Sequence, residues 1–245
     1  MGKPVAVSFE GNEVKIVHAL QRGGNIKIKG TEIIAVEEFD GYLKRSKDKD
    51  FIVTCDFKES YHDVLSVPLL KTGYLVKIIE TEIRKTTGRK DFTFLYLPIG
   101  DRVINNRKML DIFYFMVTDE TIRDVVDMFY NCGKTVKALY PPVFAAASLL
   151  EPGAPGEADM GIIYTGNERT IFSTKNGAVN FIRNYDPHEA GFSDFDIENI
   201  NMTINYCRQN LRTSPLSVKL GNCQESCPIY FTQPYANYAL WPAPL

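Results

Sequence analysis

The chain has 245 residues, of which 44% are hydrophobic and 24% charged, and its 28 basic and 30 acidic residues leave a net charge of −2. This composition excludes an intrinsically disordered protein, which lacks the apolar side chains that a core requires. It also argues against a non-specific nucleic-acid-binding protein, which usually carries a basic face. The run Lys44–Asp50 is the most basic segment, but the aspartates within it predict a solvated loop.

Targeting and redox features predict a cytosolic protein. Residues 1–5 lead straight into a strand pattern, so no signal peptide is expected. No stretch approaches the ~18 apolar residues that a membrane-spanning helix needs. The five cysteines are odd in number and scattered, which indicates reduced thiols. Neither the cysteines nor the histidines have the spacing of a metal site, so no metal ligands are predicted.

Strand signals open the chain. Val5–Val17 contains two apolar runs around Glu10-Gly11-Asn12, which predicts a strand, a tight turn and a second strand. Asn25–Val36 continues this pattern, and Phe51–Phe57 predicts a further strand. Leu69–Lys85 has the apolar spacing of a helix. The remaining elements predicted before residue 151 are strands at 92–98, 110–117 and 135–140, a helix from Thr118 to about Gly133, and a helix at 143–150.

A segment rich in proline and glycine, residues 151–157, predicts a boundary between two parts of the chain. After it the opening pattern recurs, because Met160–Thr174 again contains an apolar strand, a Gly-Asn turn and a second strand. Asn176-Gly177 predicts a tight hairpin. A helix at Ile197–Leu211 and a strand at Ser217–Gly221 follow, so the whole chain has an α/β rhythm.

Two strand–turn–strand units on either side of a linker resemble the duplicated plan of actin-like proteins. In detail the chain resembles the PilM-type actin-like proteins of type IV pilus assembly, and their sister family, the cytoplasmic domain of the type II secretion L protein. This resemblance implies an α/β protein with a duplicated actin-like (ribonuclease H-like) fold, in two halves with mixed sheets. The implied parts are a first half at 1–150, with a small subdomain inserted at about 40–115, and a shortened second half at 157–245.

In this superfamily the tips of two hairpins hold the phosphates of ATP. The resemblance therefore implies candidate nucleotide-binding positions at both turns and at a glycine that ends a later strand: Ser8, Gly11, Asn12, Thr165, Gly166, Asn167 and Gly221. An ordinary β-turn is the competing interpretation, since a Gly-Asn turn needs no ligand. The implied cofactor is ATP with Mg²⁺, or none.

The expected acidic residues are displaced. Ser8 stands where an acid usually ends the first strand, and Glu10 follows two residues later. The second hairpin has two possible placements: Asp159-Met160-Gly161 keeps the acid but precedes the predicted strand, whereas Tyr164-Thr165-Gly166 fits the strand pattern and lacks the acid. Because phosphoryl transfer needs Mg²⁺ to offset the charge of the phosphates, we expect hydrolysis to be weak or absent.

The resemblance implies a scaffold or docking protein of a pilus or secretion platform, in the cytoplasm and peripheral to a bacterial inner membrane. Its expected partner is the cytoplasmic N-terminus of a bitopic membrane protein, with the assembly ATPase as a second partner and no nucleic acid. The segment Val64–Lys85 and the strands after it form the expected docking region. The alternative is a functional ATP-binding enzyme, a kinase or ATPase, in which Asp159 or Glu10 organises the metal.

Overall fold

The computed structural model describes residues 4–22, 25–57, 59–148, 150, 158–165, 168–188, 193–213 and 215–222. These residues form three β-sheets with accompanying helices. No helix in these ranges is long and apolar enough to cross a bilayer.

The strands are β1 (Val5–Glu10), β2 (Glu13–Arg22), β3 (Asn25–Ala35), β4 (Asp50–Thr54), β5 (Ser60–Pro68), β6 (Phe92–Ile104), β7 (Arg107–Thr118), β8 (Thr135–Tyr140), β9 (Ala158–Thr165), β10 (Glu168–Lys175), β11 (Ala178–Tyr185) and β12 (Pro215–Asn222). The helices are α1 (Val36–Arg45), α2 (Thr72–Thr87), α3 (Asp119–Tyr130), α4 (Pro142–Ala147) and α5 (Asp194–Tyr206), and a π-helical turn (Cys207–Leu211) follows α5.

The first sheet has five strands in the order β3-β2-β1-β4-β8. The first three form an antiparallel meander, and β4 and β8 add to it in parallel with β1. Alternate residues of β1 and β2 are buried because successive side chains of a strand point to opposite faces. This apolar face packs against Phe39 and Leu43 of α1, which are fully buried one helical turn apart.

The second sheet repeats the plan of the first. Its order is β11-β10-β9-β12, with three antiparallel strands followed by one parallel strand. A helix joins the third strand to the fourth in both sheets, α1 in the first and α5 in the second. The chain therefore contains two structurally equivalent halves, as the recurring strand–turn–strand pattern predicted.

A third sheet, in the order β5-β7-β6, lies in the chain between β4 and β8. One face of it is covered by α2, whose buried residues Leu75, Ile79 and Ile83 follow one another at four-residue intervals. We call this unit the inserted sheet. Asn105 and Asn106, both at positive φ, form the tight turn between β6 and β7.

The structure corrects three predictions in the first half. The inserted sheet begins at β5 and not near residue 40, because β4 pairs in parallel with β1 and belongs to the first sheet. Helix α1 was not predicted, since Gly41 interrupts a segment with only two fully buried apolar residues. Lys44 and Arg45 form the last turn of this helix, where Lys44 pairs with Asp40 at 2.6 Å, and Asp50 begins β4, so only residues 46–49 of the basic run form a loop.

The second half begins differently from the prediction. Strand β9 starts at Ala158, so Asp159-Met160-Gly161 lies inside the strand and pairs with residues 172–174 of β10. Helix α5 starts at Asp194, because Ser193 and Asp196 form a reciprocal capping box. The predicted boundary segment 151–157 and residues 223–245 lie outside the described residues.

The inserted sheet and the second half share one apolar core. Phe113, Phe115 and Val117 of β7 pack in the same cluster as Phe172 of β10 and Ile182 of β11. His62 of β5 adds a polar link, since its Nε2 lies 2.9 Å from the carbonyl oxygen of Ile182. Burial lowers the pKa of His62, which keeps its imidazole neutral between these two layers.

Candidate functional site

The first hairpin turn consists of Gly11 and Asn12, between the paired residues Glu10 and Glu13. Gly11 has φ +59°, a conformation that residues with a Cβ rarely adopt, and no heavy atom lies within 4 Å of where a Cβ would stand. The carbonyl oxygen of Asn12 accepts a hydrogen bond from Val36 N at the start of α1. One hydrogen bond therefore anchors the turn to α1, while the space beside Gly11 is open. A phosphate-binding turn requires both a fixed backbone and open space.

Ser8 and Glu10 lie on β1 just before this turn and contact each other. The Ser8 hydroxyl donates a hydrogen bond to Glu10 Oε1 at 3.0 Å, and Lys15 Nζ lies 2.7 Å from Glu10 Oε2. Both oxygens of the first acid near the turn are thus engaged by side chains of the same hairpin. A metal ion at Glu10 would have to share these oxygens with the two contacts or replace one of them.

The second hairpin has the same design. Thr165 ends β9 opposite Glu168, the first residue of β10, while Gly166 and Asn167 between them lie outside the described residues. Gly221 of β12 pairs with Ile163 of β9, so it lies at the same end of this sheet as Thr165. The fold brings together Ser8, Gly11 and Asn12 in one half, and Thr165 and Gly221 in the other.

Asp56, a residue that the sequence analysis did not single out, lies within the electrostatic influence of both hairpin ends, Glu10 in the first and Glu168 in the second. The pKa of the Asp56 carboxyl is raised to about 6, first by burial and then by the negative charges of Glu168 and Glu10. Asp56 keeps an exposed edge, but the crowding around it removes part of its hydration. We call Glu10, Asp56 and Glu168 the acidic triplet.

A rule of α/β sheets could have found Asp56 from the sequence. Asp56 follows β4, which runs parallel to β1, and ligands of such sheets bind beyond the carboxyl ends of parallel strands. Glu168 carries no such signal, because it lies at the start of an antiparallel strand and only the tertiary fold brings it towards Asp56.

The acidic triplet fits a phosphate group that carries Mg²⁺ better than a bare phosphate. Three carboxylates repel an uncompensated polyphosphate, and Lys15 is already paired with Glu10. Within the described part of the chain, no three His, Cys, Asp or Glu side chains are arranged to hold a metal by themselves. Mg²⁺ commonly binds through one or two carboxylates together with substrate phosphates, so Asp56 or Glu168 is the residue that would meet it here. Mg²⁺ would offset the phosphate charge.

Replacing Asp56 by asparagine is expected to stabilise the protein above pH 6. Because the folded state raises the pKa of Asp56 above the ordinary value of 3.8, ionisation of this carboxyl opposes folding once the pH passes through about 6. With allowance for solvent screening, we expect a gain of about 1 kcal/mol or less at pH 7.5. Thermal unfolding of wild type and Asp56→Asn at pH 4 and pH 7.5 measures it. The difference should be smaller at pH 4, where the Asp56 carboxyl is protonated in the folded state although still partly ionised in the unfolded chain, and an equal gain at the two pH values would contradict the assignment.

The cysteines and Gly161 lie in surroundings that indicate a structural role. Burial raises the pKa of Cys55 to about 12, so this thiol is not reactive. Cys55, Cys132 and Cys207 are free thiols, as predicted, while Cys223 and Cys227 lie outside the described residues. Gly161, in one of the two placements of the second hairpin, lies beneath the ring of Phe172 and far along β9 from the turn.

Two solved structures share this fold over most of the chain. A chain of the PilM–PilN type IV pilus biogenesis complex has a TM-score of 0.69 and 8% identity, and the match covers 90% of this chain and 81% of that chain. The cytoplasmic domain of EpsL, an inner membrane component of the type II secretion system of Vibrio cholerae, has a TM-score of 0.60 and 13% identity, with coverage of 97% and 89%. No protein-family model and no curated protein sequence matches this sequence. At such low identity the similarity is one of architecture, and it confirms that the chain has the actin-like ATPase fold.

Proposed function

We propose that this protein is a docking component of a type IV pilus or type II secretion platform at the cytoplasmic face of a bacterial inner membrane. The observation that carries the proposal is the match of nearly the whole chain to structures from two such machines. The proposed partner is the short cytoplasmic N-terminus of a bitopic membrane protein, with the assembly ATPase as a second partner.

An exposed apolar patch on the inserted sheet supports a docking role. Leu69 and Tyr74 are each 63% exposed, and Val103 is 67% exposed. Leu69 N donates a hydrogen bond to Lys108 O, and Lys108 pairs with Val103, so residues from three chain segments meet at one end of the sheet. Clustered apolar side chains on a surface mark sites where another protein binds. The patch consists of Leu69, Leu70, Tyr74, Val103 and Ile104.

Peptide binding tests this proposal directly. The full chain is titrated with a labelled peptide of the cytoplasmic N-terminus of a candidate bitopic membrane protein, and fluorescence anisotropy is recorded. We expect saturable binding that weakens about tenfold or more in the variant Leu69→Ser/Tyr74→Ser, because aromatic and apolar anchors dominate such interfaces.

The chain offers a matched control for this variant. Tyr130 of α3 is 73% exposed but lies on the first half, away from the patch. Tyr130→Ser should bind the peptide as the wild type does. If the peptide fails to bind, or if both variants weaken binding equally, the proposed docking surface is wrong.

The acidic triplet favours a second candidate function, an ATP-binding enzyme of the same fold. Its carboxylates would bind Mg²⁺ near the two hairpin turns. The open turn at Gly11 would offer backbone amides to a phosphate. The test compares the thermal shift and phosphate release with ATP in the presence and absence of Mg²⁺. Turnover that is lost in Asp56→Asn would support the enzyme, and no shift with any nucleotide would exclude it.

A further inference from the structure

A cavity of about 170 Å³ lies between the inserted sheet and the second half. It adjoins Lys175, at the opposite end of β10 from Glu168, and is therefore separate from the turns of the candidate nucleotide site. Its volume is well below that of pockets for drug-sized ligands, so it has room for a side chain but not for a nucleotide. The polar residues that line it include Asp101, Arg102, Asp111, Lys175, Asn180 and Arg212.

Irregular backbone from three parts of the fold converges on this cavity. The register between β6 and β7 shifts at Ile99, and that between β10 and β11 shifts at Asn180, so each strand has a bulge where it lines the cavity. The π-helical turn ends at Leu211, and Arg212 follows with a φ of +51°. Bulges redirect side chains, and strained backbone and π-helical turns are frequent at functional sites.

Asn180 is a buried polar residue without a protein partner. Its side chain is 1% exposed, and neither Nδ2 nor Oδ1 forms a hydrogen bond within the described part of the chain. A buried amide is unfavourable unless its donor and acceptor are satisfied. Because Asn180 lines the cavity, a ligand that offers both an acceptor and a donor would satisfy it.

The cavity carries an excess of positive charge. Arg102 pairs with Asp111, with 3.0 Å between Nε and Oδ1, and also donates to the Ser66 hydroxyl, so this pair is neutral as a whole. Lys175 and Arg212 remain, against the single exposed carboxylate of Asp101. The Lys175 ammonium group lies over the β6 bulge, 3.8 Å from where a Cβ on Gly100 would stand. A negatively charged group is therefore favoured.

We propose that this cavity binds a linear acidic peptide segment of a partner protein, with one Asp or Glu side chain entering it. The carboxylate contacts Lys175 and Arg212, while the extended backbone of the same residue pairs with Asn180, its carbonyl oxygen accepting from Nδ2 and its N–H donating to Oδ1. A carboxylate alone has no proton to donate and would leave Asn180 Oδ1 unsatisfied, whereas a peptide backbone supplies both an acceptor and a donor. This site goes beyond the proposed function, since it lies apart from the apolar patch and does not depend on which machine the protein serves.

Nuclear magnetic resonance of the uniformly ¹⁵N-labelled full chain tests the proposal. The probe is N-acetyl-glutamate methylamide, which carries one carboxylate and two peptide groups, and the neutral control is N-acetyl-glutamine methylamide. We expect saturable shifts, in the millimolar range, of the Asn180 side-chain amide and the Gly100 backbone amide with the glutamate probe. The glutamine probe should bind at least about tenfold more weakly. Inorganic phosphate is titrated in a third arm.

Three variants separate binding from folding. Lys175→Gln/Arg212→Gln should weaken the glutamate probe about tenfold or more, while Lys77→Gln, a control on the exposed face of α2, should not. Asn180→Leu should abolish binding and raise the melting temperature, because it replaces an unsatisfied buried amide with an apolar side chain of similar size. If Asn180 only stabilised the fold, its replacement would lower the melting temperature and would not abolish binding while raising it.

Each result of these titrations either supports or overturns the proposed peptide site. Saturable shifts with the glutamate probe that both cavity variants remove would support it. Shifts of the Asn180 amide that are as strong with phosphate as with glutamate would overturn it in favour of a small-anion site. Equal binding of the glutamate and glutamine probes, or no shifts with any probe, would also overturn it.

Discussion

Replacing Asp196 by alanine is expected to lower the free energy of unfolding by about 3–5 kcal/mol, because the change removes one partner of a buried charged pair. Asp196 is fully buried and lies 3.8 Å from Arg169, measured from Oδ1 to Nε. Its oxygens also accept hydrogen bonds from the Tyr185 hydroxyl at 2.6 Å and the Ser193 backbone N–H at 2.7 Å. Urea unfolding followed by circular dichroism measures the loss.

Asp194 is the matched control for this change. It lies two residues earlier in the first turn of α5 and is exposed, so Asp194→Ala removes only a favourable interaction with the helix dipole. We expect a loss of about 0.5 kcal/mol for this control. Similar losses in the two variants would mean that the buried network contributes little. The network is also linked to the candidate site, because Arg169 directly follows Glu168, which is a member of the acidic triplet.

Replacing Gly161 by alanine is expected to cost about 1–3 kcal/mol, near the upper end of that range, because it overpacks the core. An added Cβ would clash with Cζ of Phe172, which is 1% exposed in the core shared with the inserted sheet. The ring must therefore move against buried neighbours. Thermal unfolding of the variant measures the effect.

Two further variants make this prediction specific. Phe172→Leu should recover part of the loss when it is combined with Gly161→Ala, because the shorter side chain makes room for the new methyl group. Gly73→Ala, in α2, meets no atom within 4 Å and should stabilise the protein by about 0.5 kcal/mol. If Gly161→Ala behaved like Gly73→Ala, the close contact with Phe172 would be wrong.

The acidic triplet and the acidic-peptide cavity have opposite charge characters, and they lie at opposite ends of β10. The first favours cations or metal-bound phosphate, and the second favours carboxylates. The apolar patch is a third surface, at the end of the inserted sheet. The proposed docking role would assign different partners to these chemically distinct sites, and the experiments above test each site separately.

The sequence by itself determined the duplicated plan. Both hairpins carry the residues Gly-Asn-Glu between an apolar strand and a second strand, at Gly11 and again at Gly166, and this pattern is local. Turns and amphipathic strands depend on residues a few positions apart, so they can be recognised in the sequence without knowledge of the fold. The strand order of the two sheets and the similarity to PilM–PilN and EpsL structures confirm the fold that was inferred from them.

Only the tertiary structure decided where charged and polar groups meet. Asp56 and Glu168 are more than one hundred residues apart in the sequence, and their interaction depends on how the two halves face each other. Likewise, the bulges at Ile99 and Asn180 follow from the register between strands, which no local pattern specifies. The physical reason is the same in both cases: hairpins form from neighbouring residues, whereas electrostatic and packing contacts between sheets depend on pairings that are distant in the chain.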